Sequence, residues 1–301
     1  MLKVLLTGAN GFLGQYINDH LIEKGYVVET IGRGVGNSIS CDLSLQGPQL
    51  SDCPDLVIHC AGKAHFIPKS ENEKKEFFDI NVIGTKNLLN SLEQMPTRLK
   101  SFVFISSVAV YGKDEGSEIN EETPLLANDP YGLSKIQAEH LILSWCKRKG
   151  VICTILRLPL LVGVNPPGNL GAMINGINRG YYFDVAGGRA RKSVVLAEDV
   201  AMILPQVARI GGVYNLTDRY HPSFSELSSN IARQLGKKQP LNLPMWITKL
   251  MAKFGDFLGK YAPINSKKLD KITSDLTFDD QNAVNAFNWN PKPVLKGLKI
   301  N

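Results

Sequence analysis

The stretch KVLLTGANGFLGQYI, residues 3–17, decides the fold of this chain. Its apolar start predicts a buried strand, its three glycines predict a tight turn, and the apolar spacing that follows predicts a helix. A helix that begins at such a turn presents unpaired backbone N–H groups and its positive dipole end, and glycine leaves room for a pyrophosphate. We therefore predict a dinucleotide site, with a purely structural turn as the alternative. The cofactor contacts predicted here are Gly8, Asn10, Gly11, Phe12, Leu13 and Gly14.

Length and composition are those of an ordinary globular protein. The 301 residues, 44% of them hydrophobic and 21% charged, suffice for one large domain or two modest ones. There is no apolar run of membrane-spanning length, and five cysteines without a C-x-x-C pair disfavour a metal site or disulfide framework. The net charge of +6 is scattered, which suits small anionic ligands better than nucleic acid. We expect a cytoplasmic protein with no membrane span, no metal and no nucleic-acid partner.

The end of the second predicted strand bears on the choice of cofactor. This strand, residues 25–31, is followed by Gly32, Arg33 and Gly34. NAD-binding folds usually carry an acidic residue where Gly32 stands, whereas a nearby arginine favours the 2′-phosphate of NADP. We favour NADP and keep NAD as the alternative, in which Arg33 is a solvated loop charge.

Later strands and helices supply the other predicted cofactor contacts, because ligands of open α/β sheets lie outside the carboxyl ends of the strands. Asp42 closes a short third strand, and its side chain either accepts a hydrogen bond from adenine or caps a helix beginning near Leu45. A long helix over residues 71–93 places Asn81 among apolar residues, where its amide needs partners. The contacts predicted at these positions are Arg33, Asp42, Leu43, Cys60, Ala61, Gly62, Asn81, Ser106, Leu158 and Pro159.

Predicted strands and helices alternate over the first half of the chain, and the last of these strands is predicted over residues 152–161. This alternation predicts an α/β fold with a doubly wound parallel sheet covered on both faces, of the Rossmann type. The later chain is less regular. We predict a dinucleotide-binding domain made of residues 1–163 and 193–218, interleaved with a smaller, mostly C-terminal α/β substrate domain made of residues 164–192 and 219–301.

One helix predicted in the second domain is amphipathic. Its apolar side consists of Trp246, Ile247, Leu250, Met251, Phe254, Phe257 and Leu258. Packing of this side on the protein core is the simpler interpretation. A peripheral membrane contact is the alternative, because Lys249, Lys253 and Lys260 lie nearby.

Ser107, Tyr131 and Lys135 form the candidate catalytic group. Tyr131 and Lys135 are four residues apart in a predicted helix, so both lie on one face. A free phenol has a pKa of about 10, and a neighbouring ammonium group lowers that pKa by stabilising the phenolate. The Ser107 hydroxyl can hold a substrate oxygen in position by a hydrogen bond. The three groups can therefore move a proton at an oxygen while a nicotinamide moves a hydride at the same carbon.

The order of these motifs resembles the extended short-chain dehydrogenase/reductases of the nucleotide-sugar epimerase/dehydratase group. The resemblance covers residues 1 to about 218, and FNWNP at 287–291 is similar to the family's closing motif. The matching motifs are T-G-x-x-G-x-x-G at 7–14, D-L at 42–43, A-G at 61–62, N-V-x-G-T at 81–85, S-S-x-x-V-Y-G at 106–112 and Y-x-x-x-K at 131–135.

The resemblance implies a role for each catalytic candidate. Tyr131 would be the general acid/base, Lys135 the partner of the cofactor ribose, and Ser107 the hydrogen-bond donor to the reacting oxygen. Both Tyr131 and Lys135 are also implied cofactor contacts. A homodimer through the helices that contain Asn81 and Tyr131 is implied as well.

The substrate contacts also come from the resemblance. The family's arginine for the substrate diphosphate falls at Lys192, beside Arg191 and Arg189, and a lysine offers a point charge where arginine offers a fork. This basic cluster favours an anionic, nucleotide-linked substrate. The full set of predicted substrate contacts is Ser107, Val108, Asn169, Arg189, Arg191 and Lys192, together with His65. His65 is predicted from its position after the fourth strand, and a structural histidine is the alternative.

Two departures from the family pattern narrow the reaction. Related dehydratases carry an Asp-Glu pair where Val108 and Ala109 stand, and 3,5-epimerase/reductases carry a cysteine in place of Ala109. We therefore expect NAD(P)-dependent hydride transfer at one carbon of a nucleotide-linked sugar, at position 4, by a 4-epimerase or a 4-ketoreductase. A non-catalytic NAD(P)-binding regulator and a reductase of non-sugar carbonyls are the alternatives.

Overall fold

A computed structural model describes residues 2–64, 68–258 and 265–300 of the chain. Strands and helices alternate within these ranges. The strands are β1 Lys3–Thr7, β2 Val27–Gly32, β3 Ile39–Ser40, β4 Leu56–His59, β5 Ser101–Ser107, β6 Gly116–Ile119, β7 Ile152–Leu158, β8 Leu160–Val162, β9 Phe183–Val185, β10 Val194–Leu196, β11 Gly212–Asn215, β12 Leu241–Leu243 and β13 Leu276–Phe278. The α-helices are α1 Phe12–Glu23, α2 Glu71–Phe78, α3 Gly84–Glu93, α4 Pro130–Lys149, α5 Gly168–Arg179, α6 Ala197–Val207, α7 Phe224–Gln234, α8 Met245–Leu258, α9 Ser266–Thr273, α10 Gln281–Phe287 and α11 Val294–Gly297.

Seven parallel strands form the central sheet, in the order β11-β7-β5-β4-β1-β2-β3. The predicted doubly wound α/β fold is thus confirmed. The strand order reverses between β1 and β4, and this switch opens a crevice at the carboxyl ends of the strands. The glycine turn after β1 and residues 60–62 after β4 meet at that crevice.

Apolar side chains cover both faces of the sheet. Ile17 and Leu21 of α1 and Leu204 of α6 are fully buried in a cluster on one face. Leu88 of α3 and Ile142 of α4 are fully buried in a second cluster on the other face. The helices that carry the candidate site are therefore fixed on the sheet by burial of their apolar sides, each large side chain contributing about 1.5–3 kcal/mol.

A separate apolar cluster lies in the later part of the chain. It joins Met173 and Ile177 of α5 to Leu227 and Ile231 of α7. The cluster also contains Val162, Val194 and Leu196 of the predicted dinucleotide-binding domain, so the two predicted domains share it and their division remains a prediction. The C-terminal Trp289, in contrast, returns to the cluster formed by α1 and α6.

Three local predictions need adjustment. The helix predicted over residues 71–93 contains a π-helical segment, Asp79–Ile83, between α2 and α3. The helix predicted near Leu45 is only a turn, in which the Asp42 carbonyl accepts from the backbone N–H groups at 45 and 46. The strand predicted over 152–161 divides at Pro159, which has no N–H to donate to a neighbouring strand.

The packing prediction for the amphipathic helix, α8, is wrong. Its large side chains face outward: Trp246 is 70% exposed, Phe254 66% and Phe257 88%. The helix packs through its small residues instead, with Thr248 and Ala252 buried. The Leu258 side chain and Lys260 lie outside the described part of the chain. No helix in the described ranges is long and apolar enough to cross a membrane.

Candidate active site

The glycine turn between β1 and α1 requires glycine at positions 8 and 14. A Cβ on Gly14 would lie 1.9 Å from the Gly8 carbonyl oxygen, and a Cβ on Gly8, whose φ is +76°, would lie 2.7 Å from the Ala61 nitrogen. Gly11 is the N-cap of α1 and offers no side-chain hydrogen bond, and the first turn holds no acidic residue. The N–H groups at this helix start are therefore available to an anion.

A cleft of about 660 Å³ lies beside this turn. The turn, the end of β2 and the segments after β3 and β4 form its walls. Its lining includes the predicted contacts Gly8, Asn10, Gly11, Arg33, Asp42, Leu43, Cys60, Ala61 and Gly62. The fold thus brings together residues from four separate segments, as the cofactor prediction requires.

In the part of this cleft near β2, the Asn37 side chain fills the space beside Gly32. A Cβ on Gly32 would lie 2.8 Å from the side-chain nitrogen of Asn37, which donates to the Gly34 carbonyl at 2.8 Å. Arg33 is exposed. The Asn37 side-chain oxygen is buried without a hydrogen-bond partner in the described structure. Asp42 accepts from the backbone and hydroxyl of Ser44, at 3.0 and 2.6 Å, so a turn already engages one of its oxygens.

A buried hydrogen-bond chain that sequence reasoning missed supports the crevice. The Ala61 N–H donates to the Thr7 hydroxyl at 3.0 Å. The Thr7 hydroxyl donates to Nδ1 of His59 at 2.7 Å, because the proton of the neutral ring lies on Nε2, where Thr85 accepts it. Nε2 of His59 then donates to Thr85 at 2.9 Å, and Thr85 donates to the Asn81 carbonyl at 2.6 Å. Burial lowers the pKa of His59 to about 3, which keeps the ring neutral as this chain requires.

Asn81 lies in the π-helical segment and is fully engaged by the protein. Its side-chain oxygen accepts from the Lys63 N–H at 2.7 Å, and its amide nitrogen donates to the Ser134 hydroxyl at 2.8 Å. The residue therefore joins the segment after β4 to α4. π-Helical turns occur frequently at functional sites, and this one turns Asn81 inward. Its direct contact with a cofactor remains a prediction.

A second cleft, of about 510 Å³, adjoins the glycine turn and contains the candidate catalytic group. We call it the catalytic cleft and the 660 Å³ cleft the cofactor cleft. β5 delivers Ser107, and α4 delivers Tyr131 and Lys135. The predicted contacts that line this cleft are Phe12, Leu13, Gly14, Ser106, Ser107, Val108, Tyr131, Lys135, Leu158 and Pro159. Tertiary structure therefore places the three predicted catalytic residues in one cleft beside the glycine turn.

Ser107 and Tyr131 are held by their local backbone. The Ser107 hydroxyl accepts from the Ala109 N–H at 3.2 Å, which caps the short 3₁₀ turn after β5. The Asp129 carboxylate caps α4 by accepting from the Tyr131 N–H at 3.0 Å. Burial raises the pKa of Tyr131, and a hydrogen bond with Ser107 opposes that rise. Burial is the larger effect, so the pKa of Tyr131 shifts upward overall and not downward as predicted.

Lys135 is buried under the cleft. Its ammonium group donates to the Ile105 carbonyl at 2.8 Å and lies 4.6 Å from the centre of the Phe104 ring. Burial lowers its pKa to about 8, against the opposing effects of Cys60 and Glu139. A Cβ on Gly62 would lie 3.3 Å from this ammonium group, so the backbone after β4 passes directly beside it. The group therefore lies between the catalytic cleft and the cofactor cleft.

A buried ion pair supports the catalytic helix, and no sequence motif indicated it. Arg157 on β7 pairs with Glu139 on α4 at 2.7 Å. The Ser106 hydroxyl donates to the same carboxylate at 2.5 Å, and Arg157 also donates to the Tyr111 hydroxyl at 3.1 Å. Ser106 borders the cleft, but its hydroxyl is used in this network. Burial alone would lower the pKa of Arg157, and its bonds to Glu139 outweigh that effect and raise it.

The predicted substrate contacts separate in space. Lys192 donates to the Lys271 carbonyl at 3.0 Å, next to the catalytic cleft that Lys271 lines. Arg189 lines another cavity, of about 460 Å³. Arg191 donates to the His221 carbonyl at 2.9 Å and lies 3.7 Å from Glu226.

Of the remaining predicted substrate contacts, Asn169 does not line the catalytic cleft. Asn169 is exposed near the start of α5. His65 lies outside the described residues. Val108, another predicted substrate contact, does line this cleft, as does Pro167.

Two lysines of the catalytic cleft were missed by sequence reasoning. Lys113 follows the S-S-x-x-V-Y-G motif directly, and Lys271 arrives from α9 near the C-terminus. Lys271 pairs with Asp114 at 2.6 Å. No sequence signal could connect Lys271 to this cleft, since more than a hundred residues separate it from the catalytic group.

A parallel doubly wound sheet, an anion-binding glycine turn and a Ser/Tyr/Lys group in the adjoining cleft together define a dinucleotide-binding α/β protein. Residues 4–216 match the model of the NAD dependent epimerase/dehydratase family, and the chain belongs to that family. Of similar proteins, the UDP-glucose 4-epimerase of Vibrio cholerae is 25% identical over 98% of this chain and 92% of its own length.

Solved structures show the same fold. The human epimerase family protein SDR39U1, solved with NADPH, has a TM-score of 0.75 and 18% identity, with 99% of both chains covered. The Thermus thermophilus UDP-glucose 4-epimerase, solved with NAD, has a TM-score of 0.67 and 23% identity, covering 81% of this chain and 86% of that one.

Proposed function

We propose that this protein is an NADP-dependent enzyme that transfers hydride at position 4 of a nucleotide-linked sugar, and that it acts as a 4-ketoreductase. The observation that carries the proposal is the meeting of Ser107, Tyr131 and Lys135 in a cleft that also borders the glycine turn. The similarity to a Vibrio cholerae UDP-glucose 4-epimerase over nearly the whole chain supports a nucleotide-sugar substrate.

The cofactor site fits a nicotinamide dinucleotide. The glycine turn forms a cradle that a Cβ would fill, and the start of α1 offers N–H groups to a pyrophosphate. Such a cofactor supplies or accepts a hydride at the reacting carbon. The residues proposed to hold it are those of the 660 Å³ cleft together with Asn81, Ser106, Tyr131, Lys135, Leu158 and Pro159.

Each catalytic residue has a proposed task. The Tyr131 hydroxyl donates a proton to the carbonyl oxygen of a keto sugar, and the Ser107 hydroxyl donates a hydrogen bond to the same oxygen. The Lys135 ammonium group binds ribose hydroxyls and, when charged, stabilises the phenolate left on Tyr131. After the step, Tyr131 regains its proton from solvent.

We prefer a ketoreductase to an epimerase because of the proposed cofactor. A reductase consumes one NADPH for each keto sugar, whereas a 4-epimerase returns its hydride and leaves the cofactor unchanged. An NADP-type site at Arg33 therefore suits the reductase. The Tyr131 phenol, whose pKa burial raises, can serve as the proton donor in that reduction.

Arg33 carries the cofactor preference. It is exposed at the end of β2, beside the Gly32 position that Asn37 closes to a larger side chain. NAD is the second candidate, because the unpartnered Asn37 oxygen could accept from a ribose hydroxyl. Both cofactors occur among structures with this fold.

We expect Arg33→Gln to weaken NADPH binding by about tenfold to a hundredfold and to leave NADH binding nearly unchanged. The reason is that a charge-assisted contact with the 2′-phosphate contributes about 1.5–3 kcal/mol. Titration calorimetry with each cofactor measures the change, and Arg98→Gln is the control, because Arg98 is exposed and lines neither cleft. Equal losses for both cofactors, or none for either, would contradict the assignment of NADP.

The substrate is proposed to extend beyond the catalytic cleft. Its sugar would lie by Tyr131, Val108 and Pro167, and its diphosphate near Lys113, Lys192 and Lys271. α9 carries Lys271 to this cleft and Thr273 to the cavity that Arg189 lines, so one helix borders both spaces. We place the nucleotide at that second cavity. Arg191 would support it through the loop at His221, and Asn169 and His65 remain predicted contacts.

The decisive assay offers the purified protein a UDP-4-keto-6-deoxy sugar with NADPH. We expect one NADPH to be oxidised for each keto sugar consumed. Conversion between UDP-glucose and UDP-galactose without net cofactor change would instead show an epimerase. Cofactor binding without turnover of either substrate would favour a regulatory protein. Reduction of a non-sugar ketone, unaffected by added UDP, would favour the third alternative. The predicted homodimer and cytoplasmic location remain part of this proposal.

A further inference from the structure

We propose that the exposed face of α8 docks the protein on an anionic membrane surface. The apolar stripe of this helix consists of Trp246, Leu250, Phe254 and Phe257. These residues are three or four apart, so they form one continuous stripe. Their exposed fractions are 70%, 66%, 66% and 88%. The proposal does not depend on the reaction that the enzyme catalyses.

The α8 helix turns its small residues toward the protein and its large apolar residues toward solvent, which is the reverse of an ordinary surface helix. Thr248 and Ala252 are each only 1% exposed, and Gly255 is buried beside them. These three small residues lie on the side of the helix opposite the apolar stripe. A surface helix of a globular protein normally buries its large apolar residues. Here the small residues hold the helix on the protein, and the large ones are left for another partner.

The charges around the stripe identify the partner. Lys249 and Lys253 are exposed and lie along one edge of it. α9 packs against α8 and adds the exposed Lys267 and Lys268, whereas its Lys271 lines the catalytic cleft and pairs with Asp114. An apolar face with Trp and Phe, edged by lysine, is the composition of helices that lie in the plane of an anionic bilayer.

A second copy of the chain is a poorer partner for this face. Self-association would bring together two positive edges, and like charges at an interface disfavour binding. Asp256 is the only acidic residue of α8, and its carboxylate already accepts from the Ser266 N–H at 2.9 Å. Anionic lipid headgroups supply the missing counter-charge, and the acyl boundary accepts the aromatic rings.

The chain carries a built-in probe for the test. Of its three tryptophans, Trp145 and Trp289 are 5% and 3% exposed, so changes in solvent contact report on Trp246. With vesicles of equal parts phosphatidylglycerol and phosphatidylcholine, we expect co-sedimentation and a shift of tryptophan emission to shorter wavelength. Pure phosphatidylcholine vesicles should give a much weaker response, and added salt should weaken binding to the anionic ones.

Phe254→Ser with Phe257→Ser keeps Trp246 as the probe. We expect this double variant to bind anionic vesicles about a hundredfold more weakly, because each large side chain contributes at least about tenfold. Lys249→Gln with Lys253→Gln should lose about fivefold for each lysine. The matched control is Ile22→Ser with Met202→Ser, which removes side chains that are 57% and 51% exposed on other helices. It should bind as the unchanged protein does.

Three results would overturn the proposal. They are unchanged emission with anionic vesicles, equal binding by the Phe254/Phe257 variant, and a concentration-dependent emission shift without lipid. The third result would assign the face to a second copy of the chain, provided that analytical ultracentrifugation detects a dimer and that the Phe254/Phe257 variant abolishes it. Circular dichroism on each variant checks that the fold is retained, so a loss of binding can be attributed to the surface.

Discussion

Tyr131→Phe is expected to lower the turnover of a keto sugar by about 10²–10⁴-fold, the range for removal of a positioned general acid. The phenol hydroxyl is the group that we propose as proton donor, and burial keeps it protonated by raising its pKa. The ring itself packs against Phe77, with centroids 6.0 Å apart, and phenylalanine retains that contact. The variant should therefore fold and bind NADPH normally while failing at the chemical step. Single-turnover oxidation of NADPH, followed by absorbance, measures that step directly.

Tyr181→Phe is the matched control for this variant. Tyr181 is 58% exposed and distant in sequence from the catalytic helix, so removing its hydroxyl should leave turnover unchanged. Near-normal turnover in Tyr131→Phe, together with normal NADPH binding, would exclude Tyr131 as the acid. A parallel loss of NADPH binding would show instead that the hydroxyl serves the cofactor site.

Arg157→Met is expected to lower the free energy of unfolding by about 3–5 kcal/mol, because it leaves a buried carboxylate without its charge partner. Glu139 is fully buried, and Arg157 is 5% exposed. The substitution also removes the donor to Tyr111. A protein of this size has a total stability of about 5–15 kcal/mol, so the loss is a large share of it. Chemical denaturation followed by circular dichroism measures the change.

The ion pair can be isolated with a double-mutant cycle. Glu139→Leu and Arg157→Met together should destabilise the protein less than the sum of the single changes, because no unpaired buried charge remains. Glu71→Ala is the control, since it breaks an exposed pair with Lys74 and should leave stability within experimental error. Additive losses in the cycle would mean that packing, rather than the charge pair, accounts for the effect.

Local patterns predicted the parts of the site that depend on neighbouring residues. The glycine spacing at 8, 11 and 14 reflects backbone approach distances within one turn, as the 1.9 Å clash at Gly14 shows. The Tyr131 and Lys135 pair follows from helical spacing. Alternating strands and helices were enough for the doubly wound sheet. In each case the information lies within a few residues of where it is used.

Patterns were less informative where a residue's partner lies far along the chain. Lys271 reaches the catalytic cleft from α9, and Arg157 on β7 pairs with Glu139 on α4. The pKa of Tyr131 depends on its burial, which spacing does not report, so the expected lowering was wrong. α8 was expected to bury its large apolar side. A hydrophobic pattern says which residues share a face, and only packing decides which face is covered.

The sequence by itself therefore determined the sheet, the glycine turn and the identity of the Ser107, Tyr131 and Lys135 group. These features rest on local backbone geometry and on periodic burial. Only the tertiary structure decided that these residues share one cleft, that a buried ion pair supports it, and that α8 turns its aromatic side outward. Those features depend on contacts between distant segments, whose relative positions arise when the whole chain packs.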